Sequence, residues 1–448
     1  MITVPEGALQ VMQRLQQAGY EAYVVGGCVR DSLLGLEPKD WDICTSATPR
    51  EMLEVFRGMH TIETGLQHGT VTVMLRHVPY EVTAFRLDGA YTDHRHPDEV
   101  TFIRDVVRDL ARRDFTVNAM AYHPDTGLVD PFGGREDLAA GVIRCVGNAE
   151  ERFREDALRI LRAMRFASVY GFTIEPETDL AIHALYPTLE QVAAERVRSE
   201  LGKLLCGKQV GAILRAYTDV ITWLFPELKA SVGFEQRTIH HRYTVWEHII
   251  RTVEAVAPTE VLRLAMLFHD SGKPACFTVD ENGAGHAYGH AKVSMVYAEA
   301  AFARLKLDRA THDRAMKLIE VHDIHLEADR HLMLRRLSQF GEEVLRQLID
   351  IHRADAMGKG TKTQAEIDAR TEALYACLDA LLAEKPCFSL KNLAINGQDL
   401  LNMGYPKGPA LGECLGFLLE EILEERLPNE RKTLLETAER LLREKCPD

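Results

Sequence analysis

Two aspartates one residue apart, shortly after a glycine pair, constrain this chain more than any other feature. An apolar run at residues 22–25 ends in Gly26 and Gly27, and Asp40 and Asp42 follow. Residues i and i+2 of a strand face the same side, so both carboxylates are expected to point into one cleft. Such a pair suits two Mg²⁺ ions, which would hold the attacking and leaving oxygens of a phosphoryl displacement. Glycine amides nearby would cradle a triphosphate, and the pattern therefore predicts nucleotidyl transfer.

Composition narrows the class of protein. The chain has 448 residues, which predicts two to four domains, and a net charge of −14, which argues against indiscriminate nucleic-acid binding by the whole surface. A local basic groove is still compatible with that charge. The nine cysteines lack zinc spacing and indicate reduced thiols. With no signal-peptide layout and no long apolar stretch, we expect a cytoplasmic protein without a membrane partner.

The periodicity of the sequence changes near residue 150. Residues 1–140 mix helix and strand patterns, whereas the pattern from about residue 150 onward is almost entirely helical. We therefore expect an α+β fold, with a small α/β head at 1–140 and helical sections at 141–235, 236–360 and 361–448. The expected strands are residues 22–25, 41–44, 69–75 and 80–85. Residues 357–361 are rich in glycine and are expected to have little regular structure.

Further charged residues of the head suit phosphate and ribose binding. Glu81 is a candidate third carboxylate on a neighbouring strand, although a solvated strand charge is the alternative. Arg112 and Arg113 offer guanidinium groups that pair bidentately with phosphate oxygens. Asp114 can accept a hydrogen bond from a ribose hydroxyl, and a salt bridge at a helix start is its alternative.

A second charged motif suits recognition of a base. Residues 155–159 are expected on a helix, where Glu155, Arg159 and Arg162 share one face. Asp156 and Arg159 would then present a donor and acceptor edge to a nucleobase. The alternative is an ordinary Glu–Arg pair that only supports the helix.

The order of these motifs resembles that of class II CCA-adding enzymes and bacterial poly(A) polymerases. The resemblance covers residues 26–31, 40–42, 112–116 and 155–159, and it extends to residues 130–138, similar to the hinge of that family, and 195–201, similar to its neck helix. It implies a polymerase-beta-like nucleotidyltransferase head followed by an extended, mostly helical neck, HD and tail region.

The resemblance also implies roles for individual residues. Asp40 and Asp42 would be catalytic and hold two Mg²⁺ ions, and Asp156 and Arg159 would select the base, with the protein acting as template. Asp93, Arg95 and Pro97 match the flexible loop that switches the family from C to A addition. The residues implied in nucleotide binding are Gly27, Arg30, Arg112, Asp114, Asp156, Arg159 and Arg162.

The implied activity is addition or repair of the 3′-terminal CCA of tRNA from CTP and ATP. The matching loop favours full CCA addition over a CC-adding or A-adding specialist. Polyadenylation of RNA is a second hypothesis, which the acidic balance of the chain disfavours. A third hypothesis makes the histidine-rich section the main activity and the head a degenerate RNA-binding module, and the intact aspartate pair speaks against it. The oligomeric state is left open.

Histidines and aspartates recur on separate predicted helices between residues 240 and 355. Neutral imidazoles and carboxylates on facing helices can hold one or two divalent ions. The pattern resembles an HD-type metal phosphohydrolase, which implies metal-activated water attacking phosphate esters, including 2′,3′-cyclic phosphates. The implied ligands of a divalent transition metal are His248, His269, Asp270 and Asp355, with His290 and His322 completing a second metal site.

The last section resembles the tail domain of the same family. Residues 390–409 and the amphipathic run after them would contact the elbow of tRNA, which is recognised by shape. Lys391 and Lys407 are candidate contacts, although each could be an ordinary solvated lysine.

Overall fold

The computed structural model describes residues 2–89 and 100–445, with only the backbone of Asp88 and Lys445. The predicted loop residues Asp93, Arg95 and Pro97 lie outside the described residues. The chain forms two compact units, Met1–Pro226 with Ala301–Leu307, and Glu227–Ala300 with Asp308–Asp448. The finer division into four sections stays a prediction.

Eleven strands are described in the first unit. They are β1 (Ala22–Val25), β2 (Ile43–Thr45), β3 (His60–Ile62), β4 (Thr70–Leu75), β5 (Val78–Ala84), β6 (Arg86–Asp88), β7 (Val100–Phe102), β8 (Ala121–His123), β9 (Gly127–Val129), β10 (Val142–Ile143) and β11 (Thr173–Ile174). Seven of them form one sheet in the order β3-β4-β5-β2-β1-β8-β9. Only β2 and β5 pair in parallel within that sheet, whereas β6–β7 and β10–β11 form separate two-stranded sheets.

Local chemistry explains the hairpin of β4 and β5. Val71 and Val73 alternate with less buried neighbours, as expected for a strand with one face in the core. Leu75 pairs with Val78, so only two residues make the turn. Both of them, Arg76 and His77, have positive φ, which is the geometry of a two-residue turn that follows the twist of the strands.

One strand prediction needs a correction at its start. Residues 41–44 were expected to form a strand, but β2 begins at Ile43, so Asp40 and Asp42 precede it. Asp42 is still tied to the sheet, because its carbonyl accepts a hydrogen bond of 3.0 Å from the amide of Val25. The carboxylates therefore lie at the entrance of the strand and not within it.

Eleven α-helices are described in residues 2–226 of the first unit. They are α1 (Glu6–Gln17), α2 (Gly27–Leu33), α3 (Pro49–Val55), α4 (Val106–Ala111), α5 (Gly134–Ala140), α6 (Ala149–Glu155), α7 (Leu158–Tyr170), α8 (Pro176–Leu185), α9 (Ala194–Leu205), α10 (Val210–Ala216) and α11 (Thr218–Leu224).

Residues 155–159 were predicted to lie on one helix, but the structure divides them between two helices. Asp156 has extended φ and ψ of −142° and 102° and separates α6 from α7. Its Oδ1 accepts from the amide of Leu158 at 3.1 Å, which starts the new helix.

The second unit is almost entirely helical. Its helices are α12 (Val245–Ala255), α13 (Glu260–Phe268), α14 (His290–Arg304), α15 (Arg309–Val321), α16 (Arg330–Lys359), α17 (Gln364–Ala383), α18 (Gly397–Asn402), α19 (Pro409–Leu423) and α20 (Arg431–Lys445), with strands β12 (Thr278–Val279) and β13 (Gly285–His286). Residues 301–304 of α14 belong to the first unit. In the described part of the chain, no helix has both the length and the apolarity to cross a membrane.

The helix α16 overturns another expectation. Residues 357–361 were predicted to have little regular structure, but α16, which is kinked at Gly341, continues through Lys359. Within this stretch only Gly360 has a left-handed conformation, with φ of 68°. Gly358 is buried against Thr252 of α12, where a β carbon would lie 2.4 Å from the threonine methyl. The glycine therefore serves close helix packing and does not break the helix.

Candidate active site and candidate metal centre

Three carboxylates lie close enough to interact electrostatically beside the start of β2 and the middle of β5. Ile43 pairs in parallel with Val82, so Asp42, just before β2, is a neighbour of Glu81 within β5. Asp40 lies two residues before Asp42, and all three side chains keep contact with solvent. We call Asp40, Asp42 and Glu81 the carboxylate cluster.

The electrostatics of this cluster suit a cation. Partial loss of hydration, followed by the negative charges of Asp40 and Glu81, raises the pKa of Asp42 to about 6, whereas Arg113 acts in the opposite direction. Negative charge is thus left undercompensated at the cluster. Oxygen ligands with excess negative charge are the donors that Mg²⁺ prefers, so the cluster fits that ion.

The glycine turn after β1 brings an arginine beside the cluster. Gly26 has φ of 76°, and a β carbon there would lie 2.9 Å from Nη1 of Arg113. Only glycine adopts this conformation easily and leaves room for the guanidinium. Arg112, the neighbouring arginine predicted to bind nucleotide, forms an ion pair of 2.9 Å with Asp109. Arg113 also lies near Asp109, at 3.6 Å, and its charge acts on Asp42. The arginine pair was predicted to bind phosphate, but the nucleotide-binding residues implied by the resemblance included only Arg112.

Gly27 and Arg30 lie on α2, which follows this turn. Gly27 is the first residue of the helix, and Arg30 is buried. The Arg30 guanidinium donates to Asn118 Oδ1 and lies 5.1 Å and 4.9 Å from the ring centroids of Phe166 and Tyr170. These contacts anchor α2 to α7 and favour a positioning role for Arg30 over a direct phosphate contact.

The predicted ribose-binding carboxylate is Asp114, and it is buried. Its Oδ2 accepts from Arg162 Nε at 2.8 Å, and its Oδ1 accepts from Asn118 Nδ2 at 3.0 Å. Burial alone would raise the pKa of Asp114, but the charge of Arg162 and the hydrogen bond from Asn118 hold it well below its usual value. Asp114 is consequently an ionised acceptor, and the structure brings it together with the predicted Arg162.

The break between α6 and α7 determines the positions of the two side chains that were predicted to select the base. Asp156 Oδ2 accepts from Arg196 Nη2 of α9 at 2.8 Å. Arg159 donates to Glu155 at 2.6 Å and to the carbonyl of Arg112 at 3.1 Å, which ties it to the arginine motif. Arg196 was not among the predicted site residues, because its contact with Asp156 depends on how α9 packs. The similarity of residues 195–201 to a neck helix was the only signal that pointed toward it.

The second unit brings together all six predicted metal ligands. One ligand atom from each of His248, His269, Asp270 and Asp355 lies within 4.8 Å of the others, and the same holds for the group of Asp270, His290 and His322. Asp270 belongs to both groups. The ligands come from α12, the ends of α13 and α15, the start of α14, and α16. We call these six residues the metal centre.

Backbone contacts fix the tautomers of three of its histidines. Each Nδ1 donates to the carbonyl three residues earlier, at 2.8 Å for His269, 2.9 Å for His290 and 2.8 Å for His322. A carbonyl only accepts, so Nδ1 carries the proton and Nε2 keeps its lone pair for a metal. Burial lowers the pKa of His269 to about 4, which keeps that ring neutral at pH 7. Imidazoles and carboxylates are a donor set that fits a divalent transition ion.

A cavity of about 1300 Å³ opens onto the metal centre. Lys273 Nζ lies 2.6 Å from Asp270 Oδ2, and Lys359 forms an ion pair with Asp355. The further cations in the cavity wall are Arg237, Lys362 and Arg370. His241 and His352 also line it, and sequence reasoning missed them because no spacing rule places them. Such a surplus of cations around a metal-ligand set suits an anionic ligand.

Gly272 lets the turn after Asp270 approach α14. A β carbon at Gly272 would lie 2.5 Å from the carbonyl oxygen of His290 and 2.7 Å from the amide of Ser294. Because this contact is with backbone, Gly272→Ala is expected to destabilise the chain by about 1–3 kcal/mol, measured by urea denaturation. Gly412 of α19 has open space around it, so Gly412→Ala should be neutral or slightly stabilising. Equal stability of the two variants would contradict the packing argument.

Family models match three parts of the chain. Residues 22–144 match the poly A polymerase head domain, residues 171–231 match the probable RNA and SrmB-binding site of polymerase A, and residues 289–438 match the putative tRNA nucleotidyltransferase domain 2. The first of these matched stretches contains the carboxylate cluster, and the third contains His290, His322 and Asp355 of the metal centre.

Complete proteins and solved structures are similar over almost the whole chain. The CCA-adding enzyme of Levilactobacillus brevis is 35% identical over 439 residues, covering 96% of each chain, and that of Limosilactobacillus fermentum is 34% identical over 445 residues, covering 98% of this chain and 97% of the relative. The crystal structure of the Bacillus stearothermophilus CCA-adding enzyme in complex with CTP is 29% identical, with a TM-score of 0.68 and 98% of both chains covered. The Thermotoga maritima CCA-adding enzyme complexed with tRNA, 22% identical with a TM-score of 0.60 and covering 98% of this chain and 96% of that one, shares the fold.

Proposed function

The chain belongs to the CCA-adding enzyme family, and on that premise we propose that it adds or repairs the 3′-terminal CCA of tRNA from CTP and ATP. The observation that carries the proposal is the carboxylate cluster, in which partial burial, followed by the charges of Asp40 and Glu81, raises the pKa of Asp42. Undercompensated carboxylates beside an arginine are the arrangement that nucleotidyl transfer requires. No nucleic-acid template is needed, because protein side chains select the base.

Different residues of the first unit bind the metal, the triphosphate and the ribose in this proposal. Mg²⁺, when bound, would assist attack by the RNA 3′ hydroxyl and stabilise the departing pyrophosphate, with Asp40, Asp42 and Glu81 as its ligands. Arg113 places positive charge where a triphosphate would lie. Asp114, held ionised by Arg162, accepts a hydrogen bond from the ribose.

Base selection falls to Asp156 and Arg159 in this proposal. Both groups already have protein partners, because Arg196 donates to Asp156 and Glu155 accepts from Arg159. A bound base would share or replace these partners. Small shifts of the two side chains would then fit the hydrogen-bonding edges of either C or A.

The substrate is tested by nucleotide incorporation with defined RNA ends. We expect the purified chain to add two C residues to tRNA lacking CCA when only CTP is present, and a single terminal A when ATP is also supplied. Sequencing of the 3′ ends measures both. Long A tracts on unrelated RNA would support a poly(A) polymerase instead, and addition that stops at CC or that adds only A would identify a specialist. The cytoplasmic location stays a prediction that accompanies this activity.

The metal requirement should depend on pH. Metal binding needs the ionised Asp42, whose pKa is about 6, so the Mg²⁺ concentration for half-maximal incorporation should rise about tenfold from pH 7 to pH 5. The raised pKa also means that Asp42 favours folding of the metal-free chain at low pH, a contribution lost as the pH rises through about 6. Glu81→Gln removes one of the charges that raise this pKa and should move the midpoint of the metal requirement to lower pH. An unchanged midpoint would contradict the assigned cause.

We propose a second activity, phosphoester hydrolysis, for the metal centre. The observation that favours it is a set of three histidines whose Nδ1 atoms donate to backbone carbonyls and whose Nε2 atoms gather near the buried Asp270. A divalent ion, when bound, would supply activated water. Lys273 and Lys359, which now neutralise the carboxylates, would be released toward an anionic substrate.

The tail section is proposed to contact tRNA. Lys391 and Lys407 are both exposed, as a contact with RNA phosphates requires. The section has its own small core, built around Leu400, Leu418 and Leu434. That core is formed by residues between 387 and 442 and supports a separate tail there. The start of the section at residue 361 and the bounds of the other sections stay predictions.

A further inference from the structure

The cavity at the metal centre is larger than a phosphate group requires. Its volume of about 1300 Å³ exceeds the usual range of small-molecule pockets, roughly 300–1000 Å³. A phosphoester bound at the metal ligands would therefore leave most of the cavity for the group attached to the phosphate. The wall of the cavity should show what that group is.

One side of this wall is an exposed aromatic pair. The side chain of Tyr288 is 80% exposed, which is unusual for so large a ring. It stacks on His286 with a centroid distance of 5.3 Å and an angle of 7° between the rings. His286 thus backs one face of the tyrosine, and the opposite face is open.

Polar contacts hold the pair in place. The Tyr288 hydroxyl and His286 Nδ1 lie 3.3 Å apart, and His286 Nε2 lies 3.0 Å from Asp280 Oδ2. Asp280 in turn accepts from the amides of Asn282 and Ala284, which close the turn between β12 and β13. The open tyrosine face is consequently a preorganised surface.

The position of the pair links it to the metal centre. Tyr288, His286 and the metal ligand His290 all line the cavity. Gly289, with φ of 77°, makes the turn between Tyr288 and the start of α14. A single short segment therefore supplies both an open aromatic face and a metal ligand.

We propose that Tyr288, backed by His286, is a nucleobase-stacking subsite of this cavity. The inference rests on the phosphohydrolase activity proposed above and names its substrate class: a nucleotide, either free or at the end of an RNA strand. Stacking of a base on an aromatic side chain is insensitive to base identity and contributes roughly 10- to 100-fold in affinity. Arg237, Lys362 and Arg370 in the same wall suit the additional phosphates of an RNA end.

The test compares ligands with and without a base. In the presence of Mn²⁺, binding of adenosine 3′-monophosphate and of inorganic phosphate is measured by calorimetry for the wild-type chain and for Tyr288→Ala. We expect the variant to bind the nucleotide at least tenfold more weakly and inorganic phosphate within twofold of wild type. Tyr288→Phe, which keeps the ring, should restore nucleotide binding. Equal nucleotide affinities of wild type and Tyr288→Ala would overturn the proposal.

Three controls make the result specific. Val279→Ala alters the same hairpin outside the cavity wall and should leave both affinities unchanged. The first unit can also bind a nucleotide, so Asp270→Asn serves to separate the two sites. This variant should lose the binding at the metal centre and keep the binding at the first unit. A short RNA with a 3′-phosphate replaces the mononucleotide in a parallel titration, and the tighter of the two ligands identifies the source of the nucleotide.

Hydrolysis of the nucleotide and of glycerol phosphate separates the two proposals. If neither compound is hydrolysed but nucleotide binding depends on Tyr288, the hydrolase activity is wrong and the subsite is right. If both are hydrolysed with KM values that Tyr288→Ala does not change, the hydrolase activity is right and the subsite is wrong.

Discussion

Asp42→Ala is expected to lower CTP incorporation into tRNA lacking CCA by on the order of 10³-fold or more. The pKa of Asp42 is raised by partial burial and by the charges of both other carboxylates, which places Asp42 between them. Its removal therefore takes away a metal ligand and the charge that would hold the ion. The affinity for tRNA should stay within about twofold, since no other part of the proposed RNA-binding surface changes. Single-turnover incorporation and a filter-binding titration measure the two quantities separately.

Asp125→Ala provides the matched control for this variant. Asp125 is an aspartate of the same unit with a side chain 87% exposed in the turn after β8, and its loss should change neither incorporation nor tRNA affinity. Incorporation by Asp42→Ala at a tenth of the wild-type rate would contradict the metal assignment. A parallel fall in tRNA affinity would show that Asp42 acts in RNA binding.

His269→Ala is expected to abolish phosphoester hydrolysis and to weaken metal binding by at least about 100-fold. His269 is fully buried, its Nδ1 is fixed by the Met266 carbonyl, and its Nε2 lies 3.2 Å from that of His248. Asp270→Asn should have the larger effect on metal content, because Asp270 belongs to both ligand groups. Metal stoichiometry by mass spectrometry and hydrolysis assays measure both effects.

The same variant tests whether the two activities are independent. The carboxylate cluster and the metal centre lie in different compact units, so nucleotide incorporation by His269→Ala should stay within about twofold of wild type. His331→Ala removes a partly exposed histidine outside the metal centre and is the control for loss of an imidazole. Loss of incorporation in His269→Ala alone would show that the metal centre also supports the first activity.

Sequence reasoning reached the carboxylate cluster because its determinants are local. The spacing of Asp40 and Asp42 and the strand pattern around Glu81 are enough to place them near one another. The start of β2 was not predictable, because it depends on pairing with β1 and β5 and not on the residues of β2. The aspartates were therefore expected on the strand and lie just before it.

Longer-range contacts were beyond such reasoning. Asp156 was expected inside a helix because its neighbours have helical spacing, but its carboxylate caps α7 and pairs with Arg196, which lies 40 residues away in sequence. Gly358 was interpreted as a sign of irregular structure, although it permits α16 to pack on Thr252 and His248. In both cases a tertiary contact overrode a local preference.

The sequence predicted which residues form the metal centre but not how their side chains are arranged. The adjacent His269 and Asp270 drew attention to the section, and the other ligands lie on separate helices that the sequence does not bring together. The position of His241 in the cavity wall depends on how the segment before α12 packs, whereas Lys359 and Asp355 form a local ion pair four residues apart on α16. In the proposed hydrolysis these cavity residues would distinguish one phosphoester substrate from another, so substrate choice was the part that the sequence predicted least.

The central claim is that the carboxylate cluster holds the ions at which tRNA is extended. Its most direct test is an experimental structure of the chain with CTP and Mn²⁺, in which anomalous scattering locates the metal. We expect metal peaks within coordination distance of Asp40 and Asp42, the triphosphate beside Arg113, and the cytosine edge at Asp156 and Arg159. A nucleotide bound elsewhere, with no metal peak at the two aspartates, would contradict the account.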